Sequence, residues 1–468
     1  MPLSVPSGPY AISTLTIETA VRDAQSFAPD KFSLGGKAVL QLRTVLVTLF
    51  YPTYLINQNG TGAQSKRPSA PGGGISWLPS PKMRSLEGLV KYAGVSKYFA
   101  YPAVFVLPSM TRLPYTNDGP LASTSPHIVP PHSEPAQALP ALASATPASD
   151  RFPVGIFSHG LAGCRTTYSQ YLAELASQGM VIASVEHRDG SAPSTTIQFN
   201  DERKDETITY FKHDELDKGQ DGQEKASIWD FRKAQLDLRQ AEVLEAAHLL
   251  QQLNDGQGGD LAATTRDISA KAELQSWKDR LDLKNLWAIG HSFGGATCIE
   301  LIRKKESVFT HALVLDPWLE AIAKVGEPAA QPLQRPLFVI NSDAFTIWRS
   351  HFAQLKQLVR ESYQRTGRGW LMTLTKTAHT DFSDFPLLMP RFFKNKSGVP
   401  PQALVSLFSQ ASQMEFVGQF DKEKLAFPVR DEIEGEVERR DLGKGGQVIW
   451  HAVDDEGNAH SSASASRL

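Results

Sequence analysis

Residues 290 to 294, Gly-His-Ser-Phe-Gly, set the hydroxyl of Ser292 between two glycines in a G-x-S-x-G pattern. That spacing suits a serine nucleophile on a sharp strand-to-helix turn, where the flanking positions must be nearly free of side chains for the turn to close and the hydroxyl to project. The context agrees: Leu286 to Ile289 is a short apolar run fit for a buried strand, and Ala296 to Arg303 carries helix formers. A serine hydroxyl attacks a carbonyl only when a base takes its proton and an acid orients that base. In hydrolases built on such a turn the chain order is serine, acid, histidine. His379, in "LTKTAHTDF" just after the apolar run Trp370 to Leu374, is the candidate base. Asp316 ends "HALVLDP" and Asp343 ends "LFVINSD", each at the carboxyl end of an apolar run, where sheet-borne sites are built; both are candidate acids. His311, before a strand, and His351, within a helical stretch, read as surface or packing residues.

Serine attack on an ester creates an oxyanion that needs two preorganised N–H donors. The backbone of Phe293, next to the serine, is one candidate. The loop in "GIFSHGLAG" offers the other, the Leu161 N–H, with His159 and Gly160 shaping its approach. Cys164 and Cys298 are the only cysteines and read as small buried residues. They form no disulfide framework and no metal-ligand cluster surrounds them, so neither a metal nor a cofactor is expected.

The elements that must hold these residues are legible as a rhythm. Apolar strands at about 153–158, 180–185, 286–290, 312–315, 336–341 and 370–375 alternate with helical stretches, as in a parallel βαβ sheet. An earlier run at 38–50 reads as the antiparallel start of that sheet, and 227–253 as the longest helix, with Leu236, Val243, Ala247 and Leu250 on its core face. Segments 119–150 and 254–270 have the composition of flexible surface insertions. One α/β domain over 8–428 is expected, followed by a charged, then Ser/Ala-rich tail at 429–468. With 468 residues, 41% of them hydrophobic, and a net charge of -2, the chain has the material for a large core and no electrostatic reason to bind nucleic acid. Its first residues carry neither a basic nor an apolar leader, and no run is long enough to span a bilayer, so an intracellular, cytoplasmic protein is expected. The final Ser466-Arg467-Leu468 is a variant of the Ser-Lys-Leu address, which makes the peroxisomal matrix, reached through its import receptor, the alternative.

Longer stretches carry a resemblance. "FSHGLAGCRTTYSQYLAELASQGMVIASVEHRDGSA", "IGHSFGGATCIE", "ALVLDPWL", "PLFVINSD" and "AHTDFSDF" resemble, in order and context, the platelet-activating factor acetylhydrolase family of lipoprotein-associated and intracellular type II phospholipases A2. The resemblance implies an α/β-hydrolase fold, with a mostly parallel central sheet flanked by helices and carrying surface insertions. It implies a calcium-independent serine esterase that removes a short or oxidised sn-2 acyl chain from a phospholipid. It gives Ser292, Asp316 and His379 the triad roles and Leu161 and Phe293 the oxyanion hole. Trp318, in "LDPWL", falls where the family approaches substrate; His159 is the other expected substrate-binding residue. The sequence departs from the family in reading "SHGLAG" where the family has "SHGLG". The family also meets lipid surfaces through apolar helices, and 85–110 is the candidate for transient membrane contact, with Leu86, Leu89, Val90 and Ala93 on one face and Lys91 and Lys97 nearby. Competing expectations are a general short-chain carboxylesterase and a catalytically silent, lipid-binding hydrolase scaffold.

Overall fold

The computed structural model describes residues 3–53, 74–94, 110–123, 151–199, 202–217, 226–265, 273–390, 392–393, 396–432 and 442–453. The described residues divide into two compact units, those within 3–123 with 151–284, and those within 285–453.

In the first unit the principal strands are β1 (Ala11–Ser26), β2 (Gln41–Thr53), β3 (Phe152–Ser158) and β4 (Val181–Val185). β1 and β2 pair antiparallel with Leu15 opposite Leu49, β2 pairs antiparallel with β4, and β3 runs parallel to β4 with Ile156 opposite Ala183. The antiparallel start expected at 38–50 is therefore present, with β1 as its partner. Helices of this unit include α1 (Lys82–Ala93), α2 (Ser169–Ser177) and α3 (Ile228–Asn254). α3 begins at a capping box in which Ser227 and Asp230 satisfy each other's backbone N–H groups, a device worth about 1 kcal/mol at the Ser227 side chain. Leu236, Val243 and Leu250 are buried along it as expected, together with the charged Arg239 and Glu242.

Part of the α1 face expected to meet lipid packs against protein, while Leu89 is half-buried and Ala93 exposed. Leu86 and Val90 are buried, Ser85 bonds the Pro79 carbonyl and the Ser194 hydroxyl, and a side chain on Gly88 would collide with the Pro193 backbone. The helix stops at Gly94, whose left-handed φ of 66° suits glycine. Of the expected membrane segment, 95–109 lies outside the described residues, as do 124–150 of the first insertion and the terminal Ser466-Arg467-Leu468. The second segment read as an insertion contains a helix, Gly258–Thr264. Among the described residues no helix is long and apolar enough to cross a membrane.

The second unit takes up β5 (Leu281–His291) from Asn285 onward and continues with α4 (Phe293–Arg303), β6 (His311–Leu315), β7 (Leu337–Ser342), α5 (Arg349–Thr366), β8 (Gly369–Leu374) and α6 (Pro401–Phe416). β5 to β8 are parallel neighbours in chain order. β7 is buried throughout its six residues and β6 at its last four, which is why they read as unbroken apolar runs rather than alternating ones. Residues read as the beginning of the tail join this sheet: β10 (Val448–His451) pairs antiparallel with β8, and β9 (Val429–Asp431) lies parallel to β10. The apolar Val448-Ile449 pair, both buried, holds β10 in place.

Candidate active site

Ser292 sits between the end of β5 and the first residue of α4 with φ 58° and ψ -121°. A positive φ is costly for a side chain other than glycine and is kept only where the surroundings impose it. Here they do. Ser292 N–H donates to the Leu315 carbonyl at 3.0 Å, while the Ser292 carbonyl accepts from Ala296 N–H at 3.2 Å and Trp318 N–H at 2.9 Å. A Cβ on Gly290 would lie 2.4 Å from the Gly294 carbonyl oxygen, and one on Gly295 would lie 2.9 Å from Pro317 Cα. Gly290 of the motif, and Gly295 just beyond it, are thus fixed by backbone crowding.

Asp316 follows β6 with a φ of 42° and is wholly buried. Its Oδ2 accepts from His379 Nδ1 at 3.0 Å and from the Ser342 hydroxyl at 2.5 Å, and its Oδ1 accepts from Ser342 N–H at 2.5 Å. Because the carboxylate only accepts, Nδ1 of His379 carries the proton and Nε2 is left with its lone pair, the tautomer a general base requires. His379 opens a short 3₁₀ turn, His379–Phe382, with about a third of its side chain exposed. Its ring stacks on Phe345 at 4.2 Å and 5°, and lies 4.4 Å from the ring of His291, whose Nε2 meets the His379 carbonyl at 3.0 Å. Asp343, the other candidate acid, is buried and turned elsewhere: it accepts Lys376 N–H at 2.7 Å and braces the turn that leads to His379.

Phe293 is wholly buried at the first position of α4. Trp318 is half-buried, edge-on to the Phe293 ring at 5.6 Å, and bonded to the Ser292 carbonyl through its own N–H. His311 stacks on Trp287 at 4.3 Å, and His351 accepts Leu319 N–H at 3.2 Å beneath Trp348, so both are packing residues; burial, first among the causes, lowers each to about 4. Cys298 and Cys164 are buried thiols, the latter against the Thr166 and Thr167 hydroxyls. His291, Asp316 and His379 bring ligand-type atoms within 4.8 Å of one another. Each of the three already has a hydrogen-bond partner within the group, so the cluster is explained without an ion.

Leu161 belongs to the first unit, in the loop after β3. Among the described residues its N–H has no hydrogen-bond partner, while the loop around it is tied on every side: Ala162 N–H donates to the Ser191 carbonyl at 2.8 Å, and Gly160 N–H meets the Tyr168 hydroxyl at 3.2 Å. His159 was expected to touch substrate, and the structure corrects this. It is wholly buried, its Nδ1 donates to the Gly160 carbonyl at 2.8 Å and its Nε2 accepts His187 N–H at 3.2 Å, leaving no ring nitrogen for a ligand. Burial, then the Arg239 charge, lowers its pKa to about 3, so it is a neutral part of the loop's frame.

That frame was invisible in the sequence. Arg239 of α3 donates to Asp189 at 2.7 Å, to the His159 carbonyl at 2.7 Å and to the Ser191 hydroxyl at 2.5 Å. Nearby, Ser158 Oγ lies 2.7 Å from His187 Nε2 and His187 Nδ1 lies 2.6 Å from Glu242 Oε2, a second serine–histidine–acid array. All three are buried beyond the reach of substrate. Burial raises Glu242 and pushes His187 well below its ordinary value, each shift favouring the neutral form at this contact. The Arg239–Asp189 pair is different, with both side chains at 0% exposure and Asp189 held below the usual carboxylate range despite its burial, by the Arg239 charge and by hydrogen bonds from Ser191 and Arg239. Arg239→Met leaves Asp189 buried and unpaired, so a loss of about 3–5 kcal/mol of stability is expected. Urea unfolding of the two proteins measures it; an unchanged midpoint contradicts the assigned pairing.

Comparison with known proteins decides the family. The model of the platelet-activating factor acetylhydrolase, isoform II, family matches residues 134–427. The chain belongs to this family. It is 30% identical over 273 residues to a platelet-activating factor acetylhydrolase from Gallus gallus, covering 56% of this chain and 61% of that protein, and 30% identical over 269 residues to one from Bos taurus, covering 56% of each. A putative phospholipase A2 of Schizosaccharomyces pombe is 26% identical over 52% of this chain and 62% of its own. The chain therefore matches little more than half the length of these relatives. A solved structure, a ferulic acid esterase from Streptomyces cinnamoneus, aligns with a TM-score of 0.52 at 15% identity, covering 96% of this chain and 98% of that one. The fold is that of the α/β hydrolases: a mostly parallel sheet flanked by helices, with Ser292 at the turn after β5.

Proposed function

We propose that this protein is a calcium-independent serine esterase that hydrolyses the short or oxidised sn-2 acyl ester of platelet-activating factor-like phospholipids. The observation that carries the reading is the strained turn at Ser292, tied by hydrogen bonds to the peptide that follows Asp316, whose carboxylate in turn holds His379. In the proposed sequence His379 Nε2 takes the Ser292 proton as Oγ attacks the acyl carbon. Asp316 stabilises the imidazolium that results. The Phe293 N–H, at the positive end of α4, faces the charge that develops on the carbonyl oxygen, and the resemblance supplies the Leu161 N–H as the second donor. Collapse returns the proton from His379 to the departing lysophospholipid oxygen and leaves an acyl-Ser292 ester. Water, deprotonated by the same histidine, then releases the fatty acid and restores the serine. Trp318, bonded to the Ser292 backbone and half-buried, is the proposed substrate contact.

Among the described residues the grouping with metal-ligand spacing offers two imidazoles and one carboxylate, a donor set unlike the oxygen cage that calcium prefers. Side-by-side hydrolysis of 1-alkyl-2-acetyl- and long-chain phosphatidylcholine and of a p-nitrophenyl short-chain ester, each with and without EDTA, tests the proposal. The expected result is a kcat/KM for the short-acyl phospholipid at least tenfold above that for the long-chain lipid and unchanged by EDTA. Turnover of the soluble ester alone makes the protein a general carboxylesterase; turnover of neither makes it a silent scaffold.

A further inference from the structure

The x position before the nucleophile in G-x-S-x-G is free to vary as far as the turn is concerned, yet here it holds a buried histidine with specific contacts. His291 is 4% exposed, at the last position of β5. Since a carbonyl oxygen only accepts, the 3.0 Å contact from His291 Nε2 to the His379 carbonyl makes His291 the donor. Its ring also lies 4.4 Å from the His379 ring at 32°, while Phe345 stacks on that ring at 4.2 Å and 5°. Two rings at such distances cannot share one face, so His291 and Phe345 cover the two faces of His379 between them. Phe382, three residues beyond His379, completes the contact at 5.8 Å from His291.

We propose that His291 is a positioning residue for the base, pinning the His379 backbone through its Nε2–H and walling one face of its ring, so that the imidazole swings neither away from Ser292 nor off Asp316. The inference rests on the serine-esterase reading. His291 must remain neutral to do this, because a second imidazolium against His379 would oppose the charge that forms there in turnover. The surroundings favour that state: burial first, then the His379 charge, push its pKa well below the ordinary value, against the opposing hydrogen bond to the His379 carbonyl. Among the described residues the titratable groups brought close to it include His379 and Asp316, and Asp381 stands in the same 3₁₀ turn as His379.

Two variants of the full chain separate the donor from the ring. His291→Phe keeps an aromatic wall and loses the donor; His291→Gln loses the ring and keeps an amide N–H of similar reach. The readouts are kcat and KM on a p-nitrophenyl short-chain ester and the rate of fluorophosphonate labelling of Ser292. His291→Phe is expected to lower kcat and the labelling rate about 10–100-fold, the scale set by small misplacements of a catalytic group, with KM within about twofold. His291→Gln is expected to recover at least a third of the kcat. A folded His291→Phe enzyme with unchanged kcat overturns the proposal, as does His291→Gln no faster than His291→Phe. Should neither variant fold, the wild-type protein still decides: on the acid side of its pH profile kcat/KM must fall with a slope of one, and a slope of two means that His291 charges alongside the base and overturns the proposal. Failure of the wild-type protein to label at Ser292 would instead refute the esterase reading.

Discussion

Ser292→Ala is expected to remove turnover by about 10⁶ while leaving the protein folded. The size follows from the way the three groups of the proposed triad would act as a unit: without the hydroxyl, His379 would have no proton to take and no acyl-enzyme would form, leaving only what the proposed oxyanion donors and substrate positioning give over water. The fold is indifferent to the change for reasons on the same few residues. The positive φ at 292 is imposed by the Leu315, Ala296 and Trp318 backbone bonds and by the crowding at Gly290, none of which involves the hydroxyl. Alanine meets the same strain as serine there, so a stability change within about 1 kcal/mol is expected. Hydrolysis of a short-acyl phosphatidylcholine, measured beside the thermal unfolding of both proteins, checks both halves. Near wild-type turnover by a folded Ser292→Ala protein removes the nucleophile assignment.

How much of this was open to a reading of the residues depends on what each element buries. β3 to β8 are legible because parallel strands covered on both faces become unbroken apolar runs, and α3 because its core face repeats at helical spacing. β1 escapes that reading: Ala11–Ser26 carries Thr14 and Ser13 buried among Ile12, Leu15 and Ile17, then runs into exposed Arg22, Asp23 and Gln25, so neither alternation nor continuity marks it. β9 and β10 are three and four residues long, too short for a period, and stand in charged surroundings. In the proposed site, the motif points to Ser292 and the position after a strand to His379, but the residues that hold them are hidden by their types. Ser342 looks like an ordinary helix cap, and it is one for the short helix Asp343–Thr346, while its N–H and hydroxyl also fix Asp316. Arg239, Asp189 and Glu242 look like solvated charges until the fold buries them; α3 carries Arg239 and Glu242 on the side that faces the loop of Leu161. His159 misled because a histidine beside a glycine-rich loop suggests a ligand contact, and only the bonds at both its nitrogens show otherwise.

Asp316 and Asp343 carry the same sequence signal, a carboxylate at the end of an apolar strand, and their asparagine variants should separate sharply. Asp316→Asn is expected to lower kcat by about 10⁴, as loss of the orienting acid does in serine proteases. The hydrogen bonds explain why asparagine is no substitute. Ser342 N–H can only donate, so in the variant the amide oxygen must take the place of Oδ1 and the amide nitrogen the place of Oδ2. That nitrogen donates toward His379 Nδ1, which must then accept, and the ring proton moves to Nε2, where it blocks removal of the Ser292 proton. Nothing comparable follows at residue 343. There the carboxylate accepts Lys376 N–H, an amide oxygen can do the same, and the turn at Lys376, with its φ of 59°, keeps that brace. Asp343→Asn is therefore expected to keep kcat within about tenfold and to cost about 1 kcal/mol of stability through a weaker, uncharged acceptor. Steady-state rates for both folded variants decide it: a dead Asp343→Asn beside an active Asp316→Asn would transfer the acid's role to Asp343, and equal losses in both would mean that the turn at Lys376 matters to the base as much as the carboxylate does.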